Sequence, residues 1–275
     1  MEQKISYHLM DPTKNYTLLV DTPVPEEKQA AIATELMRCV PLAEQAGFVG
    51  PVLPQDPAGT DIAIRMAGGE FCGNASMCAA VYAVTHGYAK RYDPQENGCE
   101  VHLAFRGQDR PVRVQVRPQD DGSFACTVEM PEVLGISVQQ FAPCEDFPEG
   151  IALPVVFFPG IAHAIVETEK TSGASLIRER AERLLPLWCA QLGAEAMGLM
   201  FLDAETGHTP VRTLSPLVYV AGIGSLFWEN SCASGTTAVG AYLGLPEIAL
   251  SQPGGTLRIA RSTDGRLLLS GSVRV

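Results

Sequence analysis

Residues 67–84 of the chain, AGGEFCGNASMCAAVYAV, decide the fold prediction. The segment before them, DIAIRM, alternates like a strand, and the glycines of AGGEFCGNA then interrupt that pattern. The apolar, alanine-rich run SMCAAVYAV resumes with the composition of a helix. The sequence therefore predicts a strand, a tight turn that carries Cys72, and a helix that opens just after the turn.

A second unit of the same kind occurs in the C-terminal half. SLFWE reads as a strand, NSCASGTT (230–237) as a sharp turn that carries Cys232, and AVGAYLGL (238–245) as an apolar helix. The repeat is weak, because few side chains other than Cys, Gly and Ala recur. It nevertheless suggests two halves built on one plan.

The remaining patterns fill in two lobes. Helices are predicted at 26–39 and 174–191, and PEVLGISV from residue 131 is predicted to cross into the second lobe. Strands are predicted at KISYHLM, YTLLV, 100–116, 122–130, ALPVVFFPG, AHAIVE, GLMFLD and PLVYVA, with a final hairpin turned at Asp264-Gly265. At 275 residues we expect an N-terminal lobe of residues 1–130, joined by the last strand 266–275, and a C-terminal lobe of residues 131–265.

Composition excludes several classes of function. A net charge of −11 argues against nucleic-acid binding, which depends on clustered Lys and Arg. The sequence contains neither a run long enough to span a membrane nor a signal-peptide core, so we expect a cytoplasmic protein with no membrane partner. The eight cysteines are expected to be reduced, and with no CxxC or HExxH motif we predict no metal site.

The cysteine at each helix start suggests proton transfer. Inverting an amino-acid α-carbon requires a base on one face and an acid on the other, and a thiolate with a thiol meets that need without a cofactor. Backbone N–H groups at a helix start favour a thiolate and can hold a substrate carboxylate. Cys72 and Cys232 are therefore the predicted catalytic residues, and the residues predicted to bind the substrate around them are Gly73, Asn74, Ser234, Gly235 and Thr236.

The other cysteines are expected to be small buried hydrophobes. His163 lies within an apolar strand, which is more typical of a structural histidine than of a catalytic base.

The segments AGGEFCGNASMC and NSCASGTTA resemble the two active-site signatures of the diaminopimelate epimerase family, with proline racemases as more distant relatives. PGIAHAIV resembles the family's Gly-Asn-Pro-His segment, LLLSGSVRV its last strand, and Lys14-Asn15 stands where the family has a Gly-Asn turn, which places Asn15 in the pocket. The resemblance implies an α/β (α+β) fold of two pseudo-symmetric lobes, each a sheet wrapped around a central helix, with the active site between them. It also suggests a homodimer.

Departures from the family pattern bear on the substrate. Asparagines that hold the distal end of diaminopimelate in the family correspond here to Met66, Ile161 and a position near Ala196. Losing several such partners weakens binding by about 1–3 kcal/mol for each unsatisfied group. Diaminopimelate is therefore a poor candidate, although diaminopimelate epimerase proper stays an alternative.

The family's Glu-Arg pair before the second cysteine has two alignments. If SLFWE matches that strand, Glu229 keeps the carboxylate and Asn230 replaces the arginine; if PLVYVAG matches, both charges are lost near Val220. We favour the first. Glu44, in a segment that resembles a pocket loop, adds a second acceptor. The predicted substrate is therefore histidine or another amino acid without a second carboxylate.

Two further classes of function stay open. One is a proton-shifting isomerase or dehydratase on the same scaffold, and the other is a small-molecule binder without catalysis. Such isomerases and dehydratases often keep only one of the two cysteines, so the presence of both favours racemisation.

Overall fold

A computed structural model describes residues 4–91, 97–105, 109–203 and 211–275. Two compact units make up this structure. The N-terminal unit runs to Met130 and includes Leu268–Val275, and the C-terminal unit comprises Pro131–Leu267.

In its described residues, the N-terminal unit contains eight strands and two helices. The strands are β1 (Tyr7–Pro12), β2 (Thr17–Val20), β3 (Gln45–Gly50), β4 (Ile62–Met66), β5 (Cys99–Phe105), β6 (Val112–Pro118), β7 (Phe124–Glu129) and β16 (Leu267–Arg274), and the helices are α1 (Glu26–Cys39) and α2 (Gly73–Thr85). The strands pair in the order β1-β2-β3-β4-β5-β6-β7-β16. Pairing of Asp11 with Arg274 returns β16 to β1, so this sheet closes into a barrel.

Helix α2 fills that barrel. It packs against β1, β2 and β4 to β7, and every residue from Gly73 to Ala83 is buried. A helix with no polar face suits such a position, because a sheet surrounds it on all sides. Helix α1 packs on β3 and carries acidic residues in its first turn and Arg38 in its last, which complements the helix dipole.

The C-terminal unit likewise contains eight strands and two helices in its described residues. Its strands are β8 (Gly135–Phe141), β9 (Ile151–Phe158), β10 (Ile161–Glu167), β11 (Ala196–Leu202), β12 (Arg212–Val220), β13 (Ser225–Trp228), β14 (Glu247–Gln252) and β15 (Gly255–Arg261), and its helices are α3 (Ala174–Leu192) and α4 (Ala233–Leu243). The strands pair in the order β15-β14-β12-β11-β10-β9-β8, and β13 pairs with β12.

The two faces of this sheet cover different helices. Alternate residues of β10 and β11, such as Ala164 and Leu199, join the apolar core that includes Trp188 of α3. The opposite face carries His163 and Met200 and packs against α4, which is buried from Ala233 to Ala241. Strand alternation therefore places Ile161, His163 and Ile165 of the segment PGIAHAIV on the side of α4.

Most predicted elements are confirmed, including α1 with the predicted bounds and the turn at Gly265. The segment PEVLGISV lies where the second unit begins, and Gly135 within it begins β8. Two predicted helix starts are wrong. Helices α2 and α4 begin at Gly73 and Ala233, within the predicted turns AGGEFCGNA and NSCASGTT, because the preceding cysteine caps each helix directly. Residues 106–108, inside the predicted strand region 100–116, lie outside the described residues.

Candidate active site

Cys72 and Cys232 are both helix N-caps. Cys72 caps α2 and Cys232 caps α4, each with an extended backbone. The backbone N–H of Ala75 donates to the sulfur of Cys72 at 3.4 Å, and that of Gly235 donates to the sulfur of Cys232 at 3.4 Å. In each case a sulfur therefore takes the place that a Ser, Asp or Asn oxygen usually occupies.

A hydroxyl in the first turn strengthens both caps. Ser76 donates to the carbonyl oxygen of Cys72 at 2.8 Å, and Thr236 donates to that of Cys232 at 2.7 Å. Each hydroxyl lies four residues after its cysteine. These bonds hold the cysteine backbone against the helix, so the direction in which each thiol projects is set locally.

In the N-terminal unit, a network of amide side chains surrounds Cys72. Its thiol donates to Oε1 of Gln45 at 2.9 Å. The side-chain nitrogen of Gln45 donates to Oδ1 of Asn15 at 2.5 Å, and Asn74 donates to the same oxygen at 2.9 Å. Asn15 in turn donates to Oε2 of Glu44 at 2.5 Å. The predicted residues Asn15, Glu44 and Asn74 thus share one hydrogen-bonded cluster with Cys72.

Gln45 was missed by the sequence prediction. The available signal was its position beside Glu44, in the segment that resembles a pocket loop. A glutamine is not conspicuous in a sequence, and only the pairing of distant strands brings it to Cys72, 27 residues away.

Met66 is fully buried and lies opposite Gly47 in the β3–β4 register. A Cβ on Gly47 would lie 3.1 Å from the Met66 sulfur, so that side chain occupies the space over the glycine. Met66 therefore lies in apolar packing within the N-terminal unit.

In the C-terminal unit, Cys232 is 3% exposed and contacts polar groups on two sides. Its backbone N–H donates to Oε1 of Gln252 at 2.8 Å, and Gln252 donates to the hydroxyl of Thr236 at 2.9 Å. The hydroxyl of Ser234 lies 3.6 Å from the Cys232 sulfur. Gln252, from the next strand after α4, is the second residue that the sequence prediction missed.

The pKa of the Cys232 thiol is well above its ordinary value. Burial is the largest cause, followed by the negative charge of Glu229 and a hydrogen bond to that carboxylate; Ser234 and the N–H of Gly235 act in the opposite direction. The predicted lowering of the thiol pKa by the helix start is therefore present, but burial and the charge of Glu229 outweigh it. In this setting Cys232 holds its proton, with Glu229 as the adjacent acceptor.

Gly235 is required by packing beside Cys232. A Cβ at this position would overlap the Met200 sulfur and lie 3.2 Å from the sulfur of Cys232. Met200 also fills the space over Gly198, where a Cβ would overlap the ring of His163. Met200 thus packs between the His163 side of the sheet and the first turn of α4.

His163 is fully buried, and neither ring nitrogen has a hydrogen-bond partner in the described part of the chain. Burial lowers its pKa to about 3. Ile161, two residues earlier, is buried on the same face of β10. His163 is therefore a neutral, buried ring at physiological pH.

This burial predicts acid sensitivity. The pKa of His163 is lowered from 6.5 to about 3 by folding, so its contribution to stability is complete above pH 6.5 and is lost as pH falls toward 3. The slope attributable to one such group is at most about 1.4 kcal/mol per pH unit. Urea unfolding of His163→Leu between pH 4 and pH 7 should show a shallower dependence on pH than the parent.

The exposed His86 supplies the control for this measurement, as His86→Gln should keep the steep dependence. Equal slopes in the parent and in His163→Leu would contradict the expected role of His163.

Among the described residues, no group of three or more His, Cys, Asp or Glu side chains is arranged to hold a metal ion. None of the helices that the structure describes is long and apolar enough to cross a membrane.

The family model described as "Histidine racemase CntK N-terminal domain" matches residues 4–274. The chain belongs to this histidine racemase family. A histidine racemase of Fusobacterium nucleatum subsp. nucleatum is 29% identical over 282 residues, which cover 99% of this chain and 94% of that protein. A histidine racemase of Staphylococcus aureus is 25% identical over 266 residues, covering 94% and 88%.

Solved structures agree on the fold of this histidine racemase family member. A probable proline racemase from Agrobacterium radiobacter K84 aligns with a TM-score of 0.65 at 16% identity, covering 98% of this chain and 90% of that one. A hydroxyproline epimerase from Agrobacterium vitis aligns with a TM-score of 0.63 at 12% identity, covering 98% and 89%. The protein is thus an isomerase of the racemase/epimerase class with a mixed α+β fold, which confirms the predicted class.

Proposed function

We propose that this protein racemises histidine without a cofactor, by moving the α-proton between Cys72 and Cys232. The observation that carries the proposal is the recurrence of one arrangement around both cysteines. Each sulfur caps a buried helix, accepts one N–H of the first turn, and has a side-chain oxygen that accepts a hydrogen bond from its thiol: that of Gln45 for Cys72 and that of Glu229 for Cys232. In this proposal the two units are the two lobes of a diaminopimelate epimerase-like fold.

The proton transfer is balanced between two thiols. For one enantiomer, a thiolate takes the α-proton and the opposite thiol gives its own proton to the other face of the carbanion. For the other enantiomer, the roles are exchanged. Burial and the charge of Glu229 raise the pKa of Cys232, so this thiol begins as the acid, and Cys72 begins as the base after its own proton has passed to solvent. Glu229 accepts the proton of Cys232 when Cys232 must act as the base.

Besides proton transfer, racemisation requires that negative charge on the substrate be stabilised, and the two helix starts can do this. N–H groups of the first turns of α2 and α4 point toward the helix starts, where a carboxylate and the developing enediolate are favoured. Gly73, Asn74, Ser234, Gly235 and Thr236 provide these first turns.

Three features support histidine as the substrate. The relatives aligned along nearly the whole chain are named histidine racemases. Met66 and Ile161 are buried apolar side chains, which do not suit a second ammonium and carboxylate. Glu44 and Glu229 are acceptors suited to an imidazole N–H.

A deuterium-exchange panel tests this function. The protein is incubated in D₂O with each enantiomer of histidine, phenylalanine, glutamine, proline and diaminopimelate, and loss of the α-proton signal is followed by NMR together with chiral chromatography. We expect exchange and inversion with both enantiomers of histidine, and none with phenylalanine, which has a ring of similar size without N–H groups.

Exchange confined to another amino acid would overturn the substrate assignment, and no exchange with any of them would overturn racemisation. The Cys72→Ser/Cys232→Ser double variant, prepared in the same way, excludes a contaminating racemase.

A further inference from the structure

A tyrosine stands ten residues after each cysteine, Tyr82 after Cys72 and Tyr242 after Cys232. Ten residues advance an α-helix by about 15 Å, and because the spacing is equal, each tyrosine has about the same angular offset from its cysteine around the helix axis. The tyrosine hydroxyl of each helix donates to a carboxylate, Tyr82 to Oδ2 of Asp21 at 3.4 Å and Tyr242 to Oε1 of Glu167 at 2.9 Å. The far ends of both cysteine-bearing helices are thus bonded alike.

The carboxylates that accept these bonds lie at the ends of strands packed on the same helices. Asp21 follows β2, which packs on α2, and Glu167 ends β10, which packs on α4. Each is joined to cationic or titratable side chains. His8 lies 3.0 Å from Asp21, and Lys170 and Arg212 lie 2.7 Å and 3.4 Å from Glu167.

These partners keep both carboxylates ionised. Although burial raises the pKa of Asp21, hydrogen bonds from Ser6 and His8 bring it below its ordinary value. Burial likewise raises the pKa of Glu167, and hydrogen bonds from Lys170 and Tyr242 outweigh it. Burial and Asp21 raise the pKa of Tyr82 to about 12, so its hydroxyl remains a donor.

Small side chains make up much of the buried surface of both helices. The buried stretch of α4 consists of Gly, Ala, Ser and Thr apart from Val239, and six of the eleven buried residues from Gly73 to Ala83 of α2 are Gly, Ala or Ser. A hydrogen bond at the far end of each helix adds a directional restraint on sliding and rotation to this packing. An error of about 1 Å in the position of a reacting group can cost about 10²-fold in rate.

We propose that Tyr82 and Tyr242 are positioning residues that set the placement of Cys72 and Cys232 by anchoring the opposite end of each helix to a strand-end carboxylate. The role in catalysis rests on the proposed racemase function. The effect of each tyrosine on the placement and reactivity of its thiol does not depend on that function.

Residue-resolved alkylation tests the proposal in Tyr82→Phe and Tyr242→Phe. Rates of iodoacetamide modification of Cys72 and Cys232 are measured by peptide mass spectrometry from pH 6 to pH 10, together with melting temperature, kcat and KM for histidine. Tyr82→Phe should change the modification rate of Cys72 by about three- to tenfold and leave that of Cys232 unchanged. Tyr242→Phe should change the rate of Cys232 by a similar factor and leave that of Cys72 unchanged. We expect kcat to fall by a similar factor, with KM nearly constant.

Tyr7→Phe and Tyr219→Phe are the matched controls, one in each unit, and should leave both thiols unchanged. Equal changes at both cysteines in each variant, or no change at either, would overturn the positioning role. If the parent protein racemises no amino acid but each thiol still responds to its own tyrosine, the proposed function fails and the anchoring stands.

Discussion

Cys72→Ser and Cys232→Ser are each expected to lower kcat for histidine racemisation by at least about 10³-fold. General acid-base catalysis contributes about 10²–10⁴-fold, and a serine hydroxyl is a far weaker acid than a thiol. Both substitutions replace the N-cap sulfur by a serine oxygen, which is a good N-cap acceptor, so α2 and α4 should remain folded. Turnover is measured by chiral chromatography, and folding by circular dichroism.

The two variants should differ in one respect. Each keeps one thiol, so any residual α-deuterium exchange should be confined to a single enantiomer, and the two variants should exchange opposite enantiomers. Cys39→Ser, which removes an exposed thiol, is the control. Full racemisation in either variant, or exchange of the same enantiomer by both, would contradict the two-base assignment.

Glu229→Gln is expected to have the second largest effect, a decrease in kcat of about 10²-fold. The amide cannot accept the proton of Cys232, so the thiol loses the group that lets it change from acid to base. The substitution also removes the charge that raises the pKa of Cys232, and this pKa should fall toward its ordinary value even though burial persists.

In Glu229→Gln, turnover should therefore fall while the reactivity of the Cys232 thiol near neutral pH should rise, and both can be measured on this one variant. Alkylation of Cys232 in the parent should be slow at neutral pH and rise steadily above pH 9, whereas in Glu229→Gln it should rise at lower pH. Glu247→Gln removes an exposed carboxylate of the same unit, and should alter neither alkylation nor turnover. Unchanged turnover in Glu229→Gln would remove Glu229 from the mechanism.

Local sequence signals correctly predicted that Cys72 and Cys232 each lie at the start of a helix. In both cases an interrupted strand pattern, a glycine-containing turn and a run of small apolar residues lie within about twenty positions, and such short-range signals predict that a helix follows the strand. The start of α4 was placed too late, because a run of Ser, Gly and Thr resembles a turn even when a cysteine caps it.

The surroundings of the thiols were harder to predict. Gln45 and Gln252 come from strands, and nothing in their immediate neighbours marks them as partners of a cysteine. The tyrosines were overlooked for a related reason. The spacing of ten residues is visible in the sequence, but its meaning depends on Asp21 and Glu167, which are distant along the chain.

By itself the sequence determined that this protein presents Cys72 and Cys232 at two helix starts and that the residues replacing the family's asparagines are apolar, because helix starts and side-chain character are encoded locally. Only the tertiary structure decided the proton affinity of Cys232. That quantity depends on burial, on the charge of Glu229 and on the donors around the sulfur, which act through distances in space that the order of residues does not specify.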